Sequence, residues 1–331
     1  MRILFAGSPA IAVPSLEALA RLSLGDDRFQ LVGVLTNPDT KRGRHGEKEP
    51  TDAGAAADRL FRDFTGRGRQ SPVQFKPEKL DGTVRDAIAA LEPDLLVSFA
   101  YGRIFGPKFL SLFPLGGINV HPSLLPRYRG ATPIPAVILG REKETGVTVQ
   151  RMVLEMDAGD ILAQERFPLN GRETTLSLSQ IAAATGADLL LKVIQGLALD
   201  SLAGRRQNNN EATYCSLIRK DDGLIDWSLG AADIDARIRA YTPWPLCRTF
   251  HGKEPLYILE GEVFEGGAPA DNAGSVLPGT VLGIDRRLGI LIQTGDGILA
   301  ASRLQYAMKK ALDWRDFLNG ARDFIGARLT G

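Results

Sequence analysis

Short, continuously apolar runs alternate with amphipathic stretches through the first half of this chain, and that alternation most limits what it can fold into. Arg2-Ile-Leu-Phe-Ala6 reads as a buried strand stopping at Gly7, and residues 13–22 carry the apolar spacing of a helix. The pattern returns in Leu31-Val-Gly-Val-Leu-Thr36, in a helix over 84–91 and in Asp94-Leu-Leu-Val-Ser-Phe-Ala100. Strands that are apolar on both faces and alternate with helices need cover on both sides, which is a parallel sheet in an α/β fold. Further strands are expected at Gly117-Ile-Asn-Val-His121, at 147–153 and at 161–166, with a long helix over 175–196.

The periodicity then stops. Polar residues fill Ala203-Gly-Arg-Arg-Gln-Asn-Asn-Asn-Glu211, and a linker is expected at 204–211, between one domain over 1–203 and another over 212–331. Beyond it, a helix over 232–240 precedes short strands near 255–264, 279–284, 289–294 and 297–304. Gly and Asp separate them, as in a small antiparallel barrel. A length of 331 residues accommodates both domains.

Charge restricts the choice of partners. With 40 Lys and Arg against 39 Asp and Glu, the net charge is +1, so a polyanion must be held by a local patch. Cys215 and Cys247 are the only cysteines, too few for a disulfide framework or a thiolate zinc site, and a reducing cytoplasm is expected. The first apolar stretch is shorter than the core of a signal peptide, and no uninterrupted apolar run nears the ~18 residues of a membrane span.

The opening turn, Phe5-Ala-Gly-Ser-Pro-Ala10, lacks the later glycines of a dinucleotide fingerprint, and no phosphate-binding P-loop occurs elsewhere. The densest polar chemistry lies between Ile118 and Gly130. Asn119 and His121 alternate with apolar residues at a strand's end, so both side chains share one face, at the edge where open α/β sheets bind ligands. In Leu154-Glu-Met-Asp-Ala-Gly-Asp160, either Asp157 or Asp160 suits a turn reaching the same crevice, and spacing does not choose between them. Such a set supplies an oxyanion donor, a proton carrier and an orienting carboxylate. No serine or cysteine nucleophile elbow accompanies it, so the attacking group belongs to the substrate.

These motifs carry a resemblance. Phe5-Ala-Gly-Ser-Pro9, Asn119-Val-His121, Ser123-Leu-Leu-Pro126 with Arg129-Gly130, and Met156-Asp-Ala-Gly-Asp160 resemble the folate-dependent formyltransferases. Ala212-Thr-Tyr214, Ile225-Asp-Trp227, Arg239-Ala-Tyr-Thr-Pro-Trp-Pro245 and Asp316-Phe-Leu-Asn-Gly320 resemble the branch that formylates methionyl-tRNA. The resemblance implies a Rossmann-like catalytic domain followed by an OB-like β-barrel. It implies catalysis by Asn119, His121 and Asp157, with 10-formyltetrahydrofolate as formyl donor and methionyl initiator tRNA as acceptor, and no metal or obligatory protein partner. Ser123, Leu124, Leu125 and Pro126 match its folate motif, and the main chain of Phe99, Ala100, Tyr101 and Gly102 would lie against the pterin. Lys41, Arg42, Arg44 and Lys48, with Lys309 and Lys310, are the expected tRNA contacts. Formylation of an amino sugar nucleotide and a non-catalytic RNA-binding protein are the alternatives. Trp227 and Trp244 are expected to anchor the domain junction, and Cys215 and Cys247 to be small buried residues or incidental thiols.

Overall fold

A computed structural model describes residues 1–41, 46–266 and 276–331. The chain divides into two compact units, one of Met1–Pro133, Glu144–Pro168 and Ser179–Ser216, the other of Ile134–Lys143, Leu169–Leu178 and Leu217–Gly331. The run 204–211, expected as a linker, lies inside the first unit, where Arg205 pairs with Ile161 and Gln207 is buried.

In chain order the strands of the first unit are β1 (Arg2–Ala6), β2 (Gln30–Leu35), the short pair β3 (Thr40–Lys41) and β4 (Lys48–Glu49), and β5 (Val73–Phe75). There follow β6 (Leu95–Ser98), β7 (Gly117–His121), β8 (Arg129–Gly130), β9 (Glu144–Arg151), β10 (Ile161–Pro168) and β11 (Tyr214–Cys215). Among the described residues they form a seven-stranded sheet in the order β10-β9-β7-β6-β1-β2-β5. The five strands from β5 to β7 run parallel; β1, β2, β6 and β7 are the apolar runs read from the sequence, whereas β5, three residues of mixed polarity, was not expected. β9 and β10 are antiparallel to their neighbours. The segment joining them, residues 152–160, is too short for a parallel crossover, so a reversal was the only connection open to it.

The helices are α1 (Val13–Gly25), α2 (Asp52–Gly66), α3 (Gly82–Ala89), α4 (Pro107–Leu110), α5 (Pro133–Leu139), α6 (Thr175–Ala198), α7 (Ala231–Tyr241) and α8 (Trp314–Gly320). α2 was not foreseen, although Thr51 caps it by accepting from the Gly54 amide at 3.1 Å. α6 is long and apolar enough to cross a membrane, yet its Leu190, Val193 and Ile194 are fully buried. Gly186 lets it approach the sheet closely: a Cβ there would lie 3.0 Å from Val120 and 3.4 Å from Phe99. Tyr101, Phe105 and Phe109 stack in succession at 5.2 and 5.0 Å, and Phe113 meets Phe109 at a tilt, 5.6 Å away.

In the second unit, β12 (Cys247–His251), β13 (Glu254–Phe264), β14 (Val281–Asp285), β15 (Gly289–Gln293) and β16 (Ile298–Tyr306) precede β17 (Leu312–Asp313) and β18 (Leu329–Thr330). They follow the order β14-β15-β16-β13-β12-β18, antiparallel throughout, with β17 beside β16. A bridge between Thr280 and Arg328 joins the two ends of that order and curls the sheet into a barrel, which removes its open edges. Trp227 is buried in this unit and donates its indole N–H to Thr249 Oγ1 at 3.0 Å, whereas Trp244 is 57% exposed. Trp227 is thus a core residue of the barrel unit.

Candidate functional site

The strand order reverses between β1 and β6, since β2 lies to one side of β1 and β6 to the other. Open α/β sheets bind ligands at the carboxyl ends of the strands at such a point. There the chain after β1 turns at Gly7, whose place no other residue could take: a Cβ would meet the Phe99 carbonyl at 2.7 Å and Ala12 at 2.8 Å. Phe99, Ala100, Tyr101 and Gly102 follow β6 directly. Ala100 and Gly102 adopt positive φ (51° and 79°), and the side chains of Phe99 and Tyr101 turn into the core. The loop therefore offers main chain, and Asn37 Nδ2 steadies it by donating to the Tyr101 carbonyl at 2.9 Å.

β7 lies next to β6, with Asn119 opposite Ser98 on one side and Gln150 of β9 on the other. The period of two puts Asn119 and His121 on the same face, as their spacing predicts. Asn119 Nδ2 stands 3.5 Å and His121 Nδ1 3.6 Å from Asp157 Oδ1. His121 is buried, and its Nε2 is 2.8 Å from the Tyr128 carbonyl oxygen. A carbonyl only accepts, so Nε2 carries the hydrogen and Nδ1 is the nitrogen turned toward Asp157. Asp160, the alternative on spacing, is exposed.

The Asp157 carboxylate is held at both oxygens. Gln150 Nε2 donates to Oδ1 and the Gly130 amide to Oδ2, each at 2.8 Å. Its backbone has φ of 54°, a left-handed conformation that costs a non-glycine residue roughly 1 kcal/mol and persists only where neighbours over-determine it. Gln207 supplies that support, donating from Nε2 to the carbonyls of Asp157 at 2.8 Å and Gly159 at 2.6 Å. Arg129, completely buried, donates to Gln207 Oε1, to Asn209 Oδ1 and to the Tyr214 hydroxyl. Sequence reasoning missed Gln150 and Gln207, and nothing local to either marks it.

After β7, Ser123, Leu124, Leu125 and Pro126 form a bend tied to β9 and β10. Ser123 Oγ donates to the Arg127 carbonyl at 2.7 Å. Thr148 Oγ1 donates to the Ser123 carbonyl, and Gln164 Nε2 to the Leu125 carbonyl. Cys215 lies beside this site with Sγ 3.3 Å from the Arg129 carbonyl oxygen, and burial pushes its thiol pKa up, so it is a poor nucleophile. Among the described residues no group of three or more His, Cys, Asp and Glu side chains is set to hold a metal ion.

Of the expected cationic contacts, Lys41 and Lys48 are exposed and face one another across the β3–β4 pair. Arg42 and Arg44 lie outside the described residues. Lys309 and Lys310 are exposed in the second unit, and Lys309 Nζ lies 4.9 Å from the centre of the Tyr306 ring.

Residues 1–194 match the formyl transferase family, and residues 217–322 match the family of the formyl transferase C-terminal domain. The chain is 47% identical over 325 residues to a methionyl-tRNA formyltransferase of Treponema denticola, covering 98% of each. It is 39% identical to another from Borrelia recurrentis, covering 98% of this chain and 99% of the relative. Among solved structures, an N-formyltransferase from Helicobacter canadensis in complex with folinic acid and dTDP-3-aminofucose shares the fold. Its TM-score is 0.62 at 21% identity, over 90% of this chain and 98% of that one.

Proposed function

Since the chain belongs to the formyl transferase family, and within it to the methionyl-tRNA formyltransferases, we infer that it moves the formyl group of 10-formyltetrahydrofolate onto the α-amino group of methionyl initiator tRNA, for translation initiation. The observation that carries this reading at the level of atoms is the convergence of Asn119 Nδ2 and His121 Nδ1 on Asp157 at the end of β7.

The amine of the substrate is the nucleophile. As it attacks the formyl carbon, negative charge gathers on the formyl oxygen, and the Asn119 amide N–H stabilises it; one such donor is worth about 3–4 kcal/mol in a transition state. His121 keeps its Nε2 hydrogen on Tyr128, which leaves Nδ1 to take the proton from the attacking nitrogen. That proton passes to N10 of the folate as the carbon–N10 bond breaks, so tetrahydrofolate leaves neutral at that nitrogen. The Tyr128 carbonyl orients the imidazole, and Asp157, 3.6 Å from Nδ1, balances the charge the ring acquires once Nδ1 is protonated.

The folate would use the main chain of residues 99–102 and the bend formed by residues 123–126, both held by hydrogen bonds near the strand switch. The first unit would carry the formyl chemistry, and the barrel unit would hold the tRNA. Lys41 and Lys48 support the tRNA assignment: like charges directly across a ladder repel one another, and a polyanion relieves that repulsion. We place the reaction in the cytoplasm, in keeping with two free thiols, and assign it no membrane and no obligatory protein partner. Purified protein given 10-formyltetrahydrofolate and methionyl initiator tRNA should form formyl-methionyl-tRNA. Formylation of an amino sugar nucleotide alone would overturn the assignment.

A further inference from the structure

We propose that Gln207 is a positioning residue for formyl transfer, acting through the backbone of the Asp157 turn, with Arg129 fixing which way its amide points. The inference rests on the reading of Asp157 as part of the reaction's machinery. The residues involved belong to three separate stretches of the first unit, and Gln207 comes from the polar run that precedes β11.

A glutamine amide has one accepting and one donating end, and the partners here determine which is which. Arg129 has only donors, and its Nε and Nη2 lie 3.1 and 2.8 Å from Oε1. The opposite end then has to be the NH2 group, and it meets acceptors: the carbonyls of Asp157 and Gly159 and, at 3.2 Å, Gln150 Oε1. Gln150 in turn donates its own NH2 to Asp157 Oδ1. One glutamine therefore grips the main chain of the turn while a second grips the carboxylate, and the two are bonded to each other. Gln207 is 6% exposed and Arg129 wholly buried, so water does not compete for these bonds. Arg129 holds its orientation through Asn209 Oδ1 and the Tyr214 hydroxyl as well. Gly159 can be nothing else in this turn, because a Cβ would fall 1.8 Å from the Arg151 carbonyl oxygen.

Gln207 touches neither Asn119 nor His121 within hydrogen-bond reach, so its contribution must pass through the placement of Asp157. The test is a kinetic comparison of Gln207→Leu, Gln207→Glu, Asp157→Asn and the double variant Gln207→Glu/Asp157→Asn, in single turnover at saturating 10-formyltetrahydrofolate and methionyl-tRNA for the rate constant and in steady state for the KM values. Gln207→Glu keeps an acceptor for Arg129 but sets oxygen against the two carbonyls. Each Gln207 variant should lower the rate constant at least tenfold while the KM values for folate and tRNA stay within about twofold. Adding Gln207→Glu to Asp157→Asn should cost less than a further twofold.

A rate for Gln207→Glu within twofold of the unsubstituted enzyme overturns the proposal, as do losses that multiply in the double variant. Failure of both Gln207 variants to fold overturns it too, since the residue would then be structural only. If Asp157→Asn itself retains the full rate, the reading of Asp157 falls instead, and that outcome is read from a different variant.

Discussion

The imidazole of His121 is tied by its Nε2 to the main-chain carbonyl of Tyr128, 2.8 Å away, and so faces Asp157 with Nδ1. Tyr128 itself sits at φ 60°, and its amide donates to Thr213 Oγ1 at 2.8 Å, which fixes the carbonyl that fixes the ring. His121→Ala should therefore lower kcat by about 10²–10⁴-fold, the usual contribution of a placed acid–base group, with little change in KM for tRNA. Steady-state kinetics at saturating folate checks this, and an unchanged kcat would remove His121 from the mechanism.

In the proposed mechanism Asn119 meets the charge that develops on the formyl oxygen, and its side chain's hydrogen bond is a long one, 3.5 Å to Asp157 Oδ1. Asn119→Ala should cost about 10²–10³ in kcat and leave the melting temperature nearly unaltered. Paired kinetic and thermal measurements test both halves.

Gly130 and Gly102 both have positive φ but differ in surroundings. A Cβ on Gly130 would lie 2.2 Å from the Cys215 carbonyl oxygen, whereas one on Gly102 meets nothing within 4 Å. Gly130→Ala should destabilise by about 2–3 kcal/mol and also lower kcat, since the Gly130 amide holds Asp157 Oδ2. Gly102→Ala should cost about 1 kcal/mol through its backbone alone. Chemical denaturation of the two variants gives the comparison.

Lys309→Ala with Lys310→Ala, and Lys41→Ala with Lys48→Ala, should raise KM for tRNA while kcat holds. If each lysine meets one phosphate, the slope of log KM against log salt should fall by about 0.7–0.9 per residue removed. A salt titration of initial rates measures it, and an unchanged slope would assign these cations to solvent.

Cys247 is buried on β12, and burial pushes its thiol up to about 12. The unfolded chain loses this proton near the ordinary value of 9.0 while the folded chain keeps it, so stability is whole below that pH and falls as pH climbs toward 12. Over that window the slope due to this group is about 1.4 kcal/mol per pH unit. Denaturation at several alkaline pH values should give a shallower decline for Cys247→Ala than for the unsubstituted protein.

The strands of the parallel sheet could be read from the sequence because each is an unbroken apolar run, and β1, β2, β6 and β7 appear within a residue or two of where those runs lie. Asn119 and His121 were legible for a similar reason, since a period of two fixes the face they share. What turns Asp157, and not Asp160, toward Asn119 and His121 is the left-handed turn and its donors, none adjacent to it in the chain. Gln207 was hidden by its neighbours: a polar residue in a polar run looks solvated, and its partners lie far off in the chain, from Gly159 at 48 positions to Arg129 at 78. β12 escaped notice because its buried Cys247 and Thr249 alternate with residues too mixed in polarity to stand out.

The barrel of the second unit is closed by the contact of Thr280 with Arg328, next to β18. Without residues 328–330 in place the barrel is an open sheet, with unpaired N–H and C=O groups along β12 and β14. Such edges recruit other strands. Closing the barrel at this short stave thus also protects the protein against strand addition by another copy.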